Sequence, residues 1–107
     1  KFDEADLQEA DLTGATLRDA LLIKVALQDS DLTNADVRDA NFKEALLQGA
    51  TAQGTQLAGA QFDQTDLREV DFTGATGTPA DDGEEARYGS TICPDGSIDG
   101  DGDGCWD

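Results

Sequence analysis

The sequence predicts an all-β solenoid: a four-sided parallel β-helix of just under four coils over residues 1–76, followed by an irregular tail over 77–107. Three observations predict it. A large apolar residue recurs every five positions from Phe2 through Leu7, Leu12 and onward to Phe72, with Ala52 the one small exception. Two positions before each stands a small residue, from Ala5 and Ala10 to Thr65 and Val70. The outward residues repeat at a spacing of twenty, as in Gln8, Gln28 and Gln48, or Asp11, Asp31 and Asp71.

The five-residue period excludes the regular alternatives. On a helix the large residue would drift by about 140° per repeat, so no stripe forms. On a straight strand an odd period flips every second pair to the opposite face. The pattern is consistent only if the chain turns a corner in each repeat. Each short extended segment then points two side chains inward and three outward, and the stacked inward pairs make a core no single repeat could bury. The spacing of twenty sets four repeats per coil, because identical polar side chains stack as ladders on parallel strands. At about 4.8 Å per coil the column is about 19 Å tall. Two residues after the large one stand Gly14, Asn34, Gly49, Gly54, Gly59 and Gly74, which tolerate the positive φ of a type II turn. Asp19, Asp29, Asp39, Glu4, Glu9, Glu44 and Glu69 hold the same place, so the corners are expected to be of mixed type.

Segments such as Ala10-Asp11-Leu12-Thr13-Gly14 and Ala35-Asp36-Val37-Arg38-Asp39 resemble the A(D/N)LXX units of the pentapeptide-repeat proteins. The resemblance covers residues 2 to about 76 and implies a right-handed quadrilateral β-helix. It implies no single function, which has to come from sites.

The first coil shows no capping element, so Phe2 and Leu7 are expected at an open end, a template for contact with another chain; a cap lying outside this sequence fits equally. In the second coil Leu21, Ile23 and Ala26 take outward positions, and Leu46 stacks over Ala26. They form either an apolar contact patch across one corner or a local bulge that folds Leu21 or Ile23 inward. The third coil is expected to be slim at Ala52, with Phe42 and Phe62 filling the space. After Gly77 the period stops, and Pro79 with Asp81-Asp82-Gly83-Glu84-Glu85 reads as an exposed linker.

The tail holds both cysteines, Cys93 and Cys105, read as one disulfide and hence an oxidising compartment, or alternatively as two free thiols in a cytoplasmic protein. Cys93-Pro94-Asp95-Gly96-Ser97 resembles the CPDG-type tails of some secreted bacterial pentapeptide-repeat proteins, which implies secretion or display at the cell surface, or another oxidising space such as the periplasm. Tyr88, Ile92, Ile98 and Trp106 give the tail apolar surface with which to cap the last coil or to bridge to a neighbour. Asp99, Asp101 and Asp103 match the start of a D-x-D-x-D-G loop and are candidate calcium ligands, although the acid such a loop needs at its twelfth position would lie beyond Asp107; a flexible acidic loop is the plainer reading.

The formal net charge is −17. Residues 1–76 carry 15 acids and 6 bases, and residues 77–107 carry 9 acids and 1 base. This balance argues against direct binding to nucleic acid, which needs basic patches. No apolar run is long enough to span a membrane. The absence of histidine and of a glycine-rich phosphate loop argues against an enzyme. The expected function is a non-enzymatic extracellular structural and protein-interaction scaffold that associates with other protein chains, including its own copies, and stacks head to tail into a filament. In a continuous register Asp66 would face Asp6 and Asp71 would face Asp11, which opposes the simplest stack. The alternatives are a mimic of DNA that engages gyrase, as some members of the resembled family do, and a monomeric protein-binding module.

Overall fold

The structure is a computed structural model, and it describes residues 4–80, 86–99 and 105. Parallel bridges link positions twenty apart and assemble four columns of backbone: Asp6–Ala26–Leu46–Asp66, Asp11–Asp31–Thr51–Asp71, Thr16–Asp36–Gln56–Thr76 and Leu21–Asn41–Gln61. These are the four sides of the coil. The inward positions are those expected. Leu22, Val25, Leu27, Leu32, Val37, Phe42, Leu57, Phe62, Leu67, Val70 and Phe72 are buried, with the small residues Ala35, Ala40, Ala45, Ala50 and Ala60 between them. The polar exceptions Thr55 and Thr65 are satisfied inside, because their hydroxyls donate to the carbonyls of Leu32 (2.9 Å) and Phe42 (2.7 Å). Phe42 and Phe62 stack with ring centroids 5.4 Å apart, and beside Ala52 they leave a void of only about 10 Å³. Leu7, Leu12 and Leu17 of the first coil are half-buried, being packed from one side only.

The corners are uniform, not mixed. Every fifth residue from Glu4 to Gly74 has a positive φ, between 56° and 76°, whether it is glycine, aspartate, glutamate or lysine. From Glu9 onward each lies third in a four-residue turn closed by a hydrogen bond such as Ala10 N–H to Leu7 C=O (3.0 Å), so these corners have the type II form. The reason is the ladder. The corner N–H must point along the stack to the next coil, as Glu9 N–H does to Gln28 C=O (2.9 Å), and that hydrogen bond outweighs the roughly 1 kcal/mol a side chain costs in this region.

The five-residue spacing ends near Gly77, but the ladder does not. Leu57 and Gly59 donate to the carbonyls of Thr76 (2.8 Å) and Thr78 (3.1 Å), and Pro79 is buried instead of lying in an exposed linker. The chain then rejoins the stack with its register shifted to twenty-one. Arg87 bridges to Asp66 and Ile92 to Asp71. Tyr88 and Cys93 take the large inward places, Thr91 the small one, and Ser90 a corner with φ 58°. Residues 86–94 thus add two further sides above the last full coil. A two-stranded antiparallel pair, β1 (Thr91–Ile92) and β2 (Ile98–Asp99), follows, so on that side the parallel stack is closed by a strand running the other way. Cys93 is disulfide-bonded to Cys105 with Cα atoms 5.3 Å apart, which ties the segment after β2 back to the core column. Ile98 differs from expectation: it is 68 % exposed and does not pack on the last coil.

Candidate functional site

A count of backbone donors explains most of the surface. From Val25 to Ala60, four of the five N–H groups in each repeat are taken by backbone carbonyls of the same or a neighbouring coil. The fifth, on the residue after the large one, is left over. Where aspartate or asparagine precedes the large residue, its side chain accepts that N–H: Asp11 from Thr13 (3.1 Å), Asp31 from Thr33 (3.0 Å), Asn41 from Lys43 (3.0 Å) and Asp71 from Thr73 (3.0 Å). Asp36 and Asp66 do the same and also receive both arms of the guanidinium two residues on, at 2.8 and 2.7 Å from Arg38 and 2.8 and 2.5 Å from Arg68. The Arg38 side-chain hydrogen bond holds the Asp36 carboxyl down at about 2. For Asp66 burial pushes the carboxyl up, and the Arg68 hydrogen bonds with the nearby Arg87 charge more than reverse it. Hydrogen bonds from the Thr33 side chain and backbone lower Asp31, and those from Thr13 lower Asp11. Much of the acidic surface on the four sides is therefore engaged in holding the coil.

Not every repeat follows this rule: Thr16, Thr51, Gln56 and Gln61 hold the same place, and around one corner apolar residues do. In the second and third coils Leu21, Ala26 and Leu46 stand where the fold uses aspartate or asparagine, so the N–H groups of Ile23, Gln28 and Gln48 gain no side-chain acceptor from them. The register is intact here. Leu22 and Val25 point inward, Leu21 pairs with Asn41, Ala26 pairs with Leu46, and no bulge forms. Leu21 is 42 % exposed and Leu46 38 % exposed, while Ile23 and Ala26 are half-buried beside them. The sequence places Lys24 in a column with Glu4 and Glu44, and the structure adds that Lys43 leaves beside it. Lys24 N–H donates to Lys43 C=O (2.9 Å), so both exposed side chains leave the same corner from adjacent coils, and neither is in an ion pair among the described residues. The signal was available, since Lys43 lies one coil less one residue after Lys24. The corner is thus apolar along Leu21, Ile23 and Leu46, and its lysines alternate with carboxylates, Lys24 stacking between Glu4 and Glu44 and Lys43 beside Asp63.

The remaining expected sites lie elsewhere. Leu7 is half-buried at the first coil, with its N–H donating to Ala26 C=O (2.7 Å); Phe2 lies outside the described residues. Of the expected calcium ligands, Asp101, Asp103 and the side chain of Asp99 lie outside the described residues, as does Trp106. Arg68, Glu69, Gly89, Ser90 and Gln48 line an open surface depression beside the Arg87 side of the stack.

The uniform corners, the twenty-residue register and the two-in, three-out core define a pentapeptide-repeat solenoid. The family model for pentapeptide repeats matches residues 1–39 and 40–76 in 8 copies, and the chain belongs to that family. Its fold is the right-handed quadrilateral β-helix. Among solved structures the chain is similar to a pentapeptide-repeat protein, Rfr23, from the cyanobacterium Cyanothece 51142, at 27 % identity and a TM-score of 0.61, over 96 % of this chain and 58 % of that one. It also matches a pentapeptide-repeat protein of the Arabidopsis thaliana thylakoid lumen (22 % identity, TM-score 0.47, 79 % of this chain and 66 % of that one). A third is HetL of Nostoc sp. strain PCC 7120, a pentapeptide-repeat protein involved in heterocyst differentiation regulation (26 % identity, TM-score 0.43, 91 % and 59 %). The chain therefore spans about three-fifths to two-thirds of the length of these structures. No curated protein matches it.

Proposed function

We propose that the protein is a non-enzymatic interaction scaffold that works in an oxidising space, secreted or at a cell surface, and that it meets other protein chains through the corner of Leu21, Ile23, Ala26 and Leu46. The observation that carries this reading is the clustering of apolar residues, Leu21, Ala26 and Leu46, around one corner at an outward place that elsewhere in the regular repeats holds aspartate, asparagine, threonine or glutamine. Each forgoes a side-chain acceptor for a leftover N–H, and the fold gains no burial in return, because Leu21 and Leu46 remain exposed. Contiguous exposed apolar residues, as at Leu21, Ile23, Ala26 and Leu46, mark surfaces of protein contact. The Cys93–Cys105 disulfide supports the compartment, since reducing cytosol disfavours such a bond.

The test is a pair of Ser substitutions, Leu21→Ser with Leu46→Ser, which leave the inward residues unchanged. Proteins captured from the source organism's extracellular fraction by the wild type and lost with the double variant would support the corner. An unchanged set, at unchanged thermal stability, would refute it.

A further inference from the structure

In the sides that residues 86–94 add, one turn inverts the chemistry of those below. Where Asp36 and Asp66 precede the large residue, each carboxylate accepts the N–H two residues on (3.2 Å) and both arms of the arginine there, Arg38 or Arg68. Directly above Asp66 in the ladder the same place is held by Arg87, and the residue two further on is Gly89. The carboxylate is gone, its N–H partner remains, and a guanidinium stands where the acid would. Other repeats also leave this N–H without a side-chain acceptor, as at Gln48 and Gln53, but among the described residues only Arg87 puts a base in the acceptor's place. We infer that this turn is a binding notch for an external carboxylate, which takes the position of the missing aspartate, accepts from Gly89 N–H and pairs with the Arg87 guanidinium. Its source is an acidic side chain of a partner protein, and that part of the inference rests on the corner being a contact surface, as proposed above.

The notch is open. Gly89 and Ser90 line, with Gln48, Arg68 and Glu69, a depression of about 450 Å³. Gly89 is not in the left-handed region, and a Cβ there would meet only Arg68 Cγ at 3.6 Å and Cδ at 3.8 Å, which is ordinary contact. Neither backbone nor packing demands glycine, and its effect is to leave the N–H approachable. The donors are unused. Gly89 N–H and Ser90 N–H have no acceptor among the described residues, whereas the corner N–H one coil below, on Glu69, donates to Gly89 C=O (3.0 Å). Arg87 is exposed and in no ion pair among the described residues, while Asp66 beneath it is already held by Arg68. A carboxylate set against an N–H and a guanidinium is a charge-assisted pairing this fold already uses at Asp36 and Asp66. Glu69 opposes it from within the depression, and so does the net charge of −17, so a lone carboxylate binds weakly. The corner supplies the rest of the contact. Leu46 and Arg87 share one side of the stack, two layers and hence about 10 Å apart, so one partner surface with an acid beside an apolar residue covers both.

The test is ¹⁵N amide titration of the full chain in non-reducing buffer, with sodium acetate to about 200 mM and with a blocked peptide carrying leucine and glutamate three residues apart, about 10 Å when extended, each against sodium chloride at matched ionic strength. The expected result is a saturable shift of the Gly89 and Ser90 amides with acetate and not with chloride, about threefold tighter in Glu69→Gln and lost in Arg87→Gln. The peptide should bind about tenfold more tightly than acetate, and the pair Leu21→Ser with Leu46→Ser should remove that advantage alone. Arg87→Asp restores the regular turn, so Gly89 N–H gains an internal acceptor and the acetate response disappears with the fold intact. Equal responses to acetate and chloride, or an acetate response that survives Arg87→Asp, overturns the notch and leaves the corner to its own test. Acetate binding with no advantage for the peptide keeps the notch and overturns the partner side chain as its source, in favour of a small free acid.

Discussion

Replacing Gly77 by alanine should be among the most damaging single-methyl additions in the chain. Gly77 has φ 84°, and a Cβ there would lie 2.7 Å from Ala58 N and 3.0 Å from both Ala58 Cα and Cβ. These neighbours are backbone and the first side-chain atom, so none can rotate away. Relief requires the turn at 76–78 to lift from the coil below, where Leu57 N–H to Thr76 C=O (2.8 Å) and Gly59 N–H to Thr78 C=O (3.1 Å) hold it. The left-handed backbone costs an alanine about 1–2 kcal/mol, and two weakened ladder hydrogen bonds cost about 1 kcal/mol each, for a total of about 3–4 kcal/mol. Gly14 is the control. Its φ is 70° and nothing lies within 4 Å of an added Cβ, so Gly14→Ala should show the backbone term alone, about 1–2 kcal/mol. Urea unfolding followed by far-UV circular dichroism, in non-reducing buffer, measures both. Equal losses for the two variants would refute the packing of residues 76–80 on the third coil, and with it the continuation of the stack beyond the regular repeats.

Three further predictions follow from the corners, the carboxylates and the tail. Gln64 holds φ 56° without glycine's freedom, so Gln64→Gly should raise the unfolding free energy by up to about 1 kcal/mol in the same urea assay. The folded Asp36 carboxyl, at about 2 because Arg38 hydrogen-bonds it, lies below its unfolded value of about 4. Its stabilising contribution is therefore fully present above pH 4 and lost as pH falls toward 2, and Asp36→Asn should make the acid limb of a stability-against-pH curve shallower, with the limb above pH 5 unaltered. Reduction of the Cys93–Cys105 bond should lower stability by up to about 3 kcal/mol, seen as an earlier urea midpoint with dithiothreitol, and Cys105→Ser should remove the difference between the two buffers.

The column was legible because its period admits one geometry, and the twenty-residue ladders of Gln8, Gln28 and Gln48 gave the number of sides. The corner type was harder. Asp19 or Glu44 alone would favour an ordinary type I turn, and the positive φ arises from the inter-coil hydrogen bond, which is not local. The two extra sides at 86–94 were hidden by the inserted residues that shift the register to twenty-one. Their signal was nonetheless present: Ala86 before Tyr88 and Thr91 before Cys93 repeat the small-then-large pair five apart. Of the corner surface, the apolar residues were readable as outward exceptions. The pairing of Lys24 with Lys43 required knowing that each corner N–H reaches the residue nineteen ahead. Ile98 appeared to be core material because it is apolar, but β2 pairs with β1 at its outer edge, which leaves that side chain in solvent.

The most direct test of the corner as the contact surface is an ¹⁵N amide shift series recorded as the protein is concentrated from about 20 to 500 µM. The account predicts that the amides of Ile23, Lys24, Lys43 and Leu46 move together on one binding curve, while those of the Asp31 and Asp71 side stay fixed. Shifts confined to the Asp31 and Asp71 side, or to the first coil around Leu7, would contradict it.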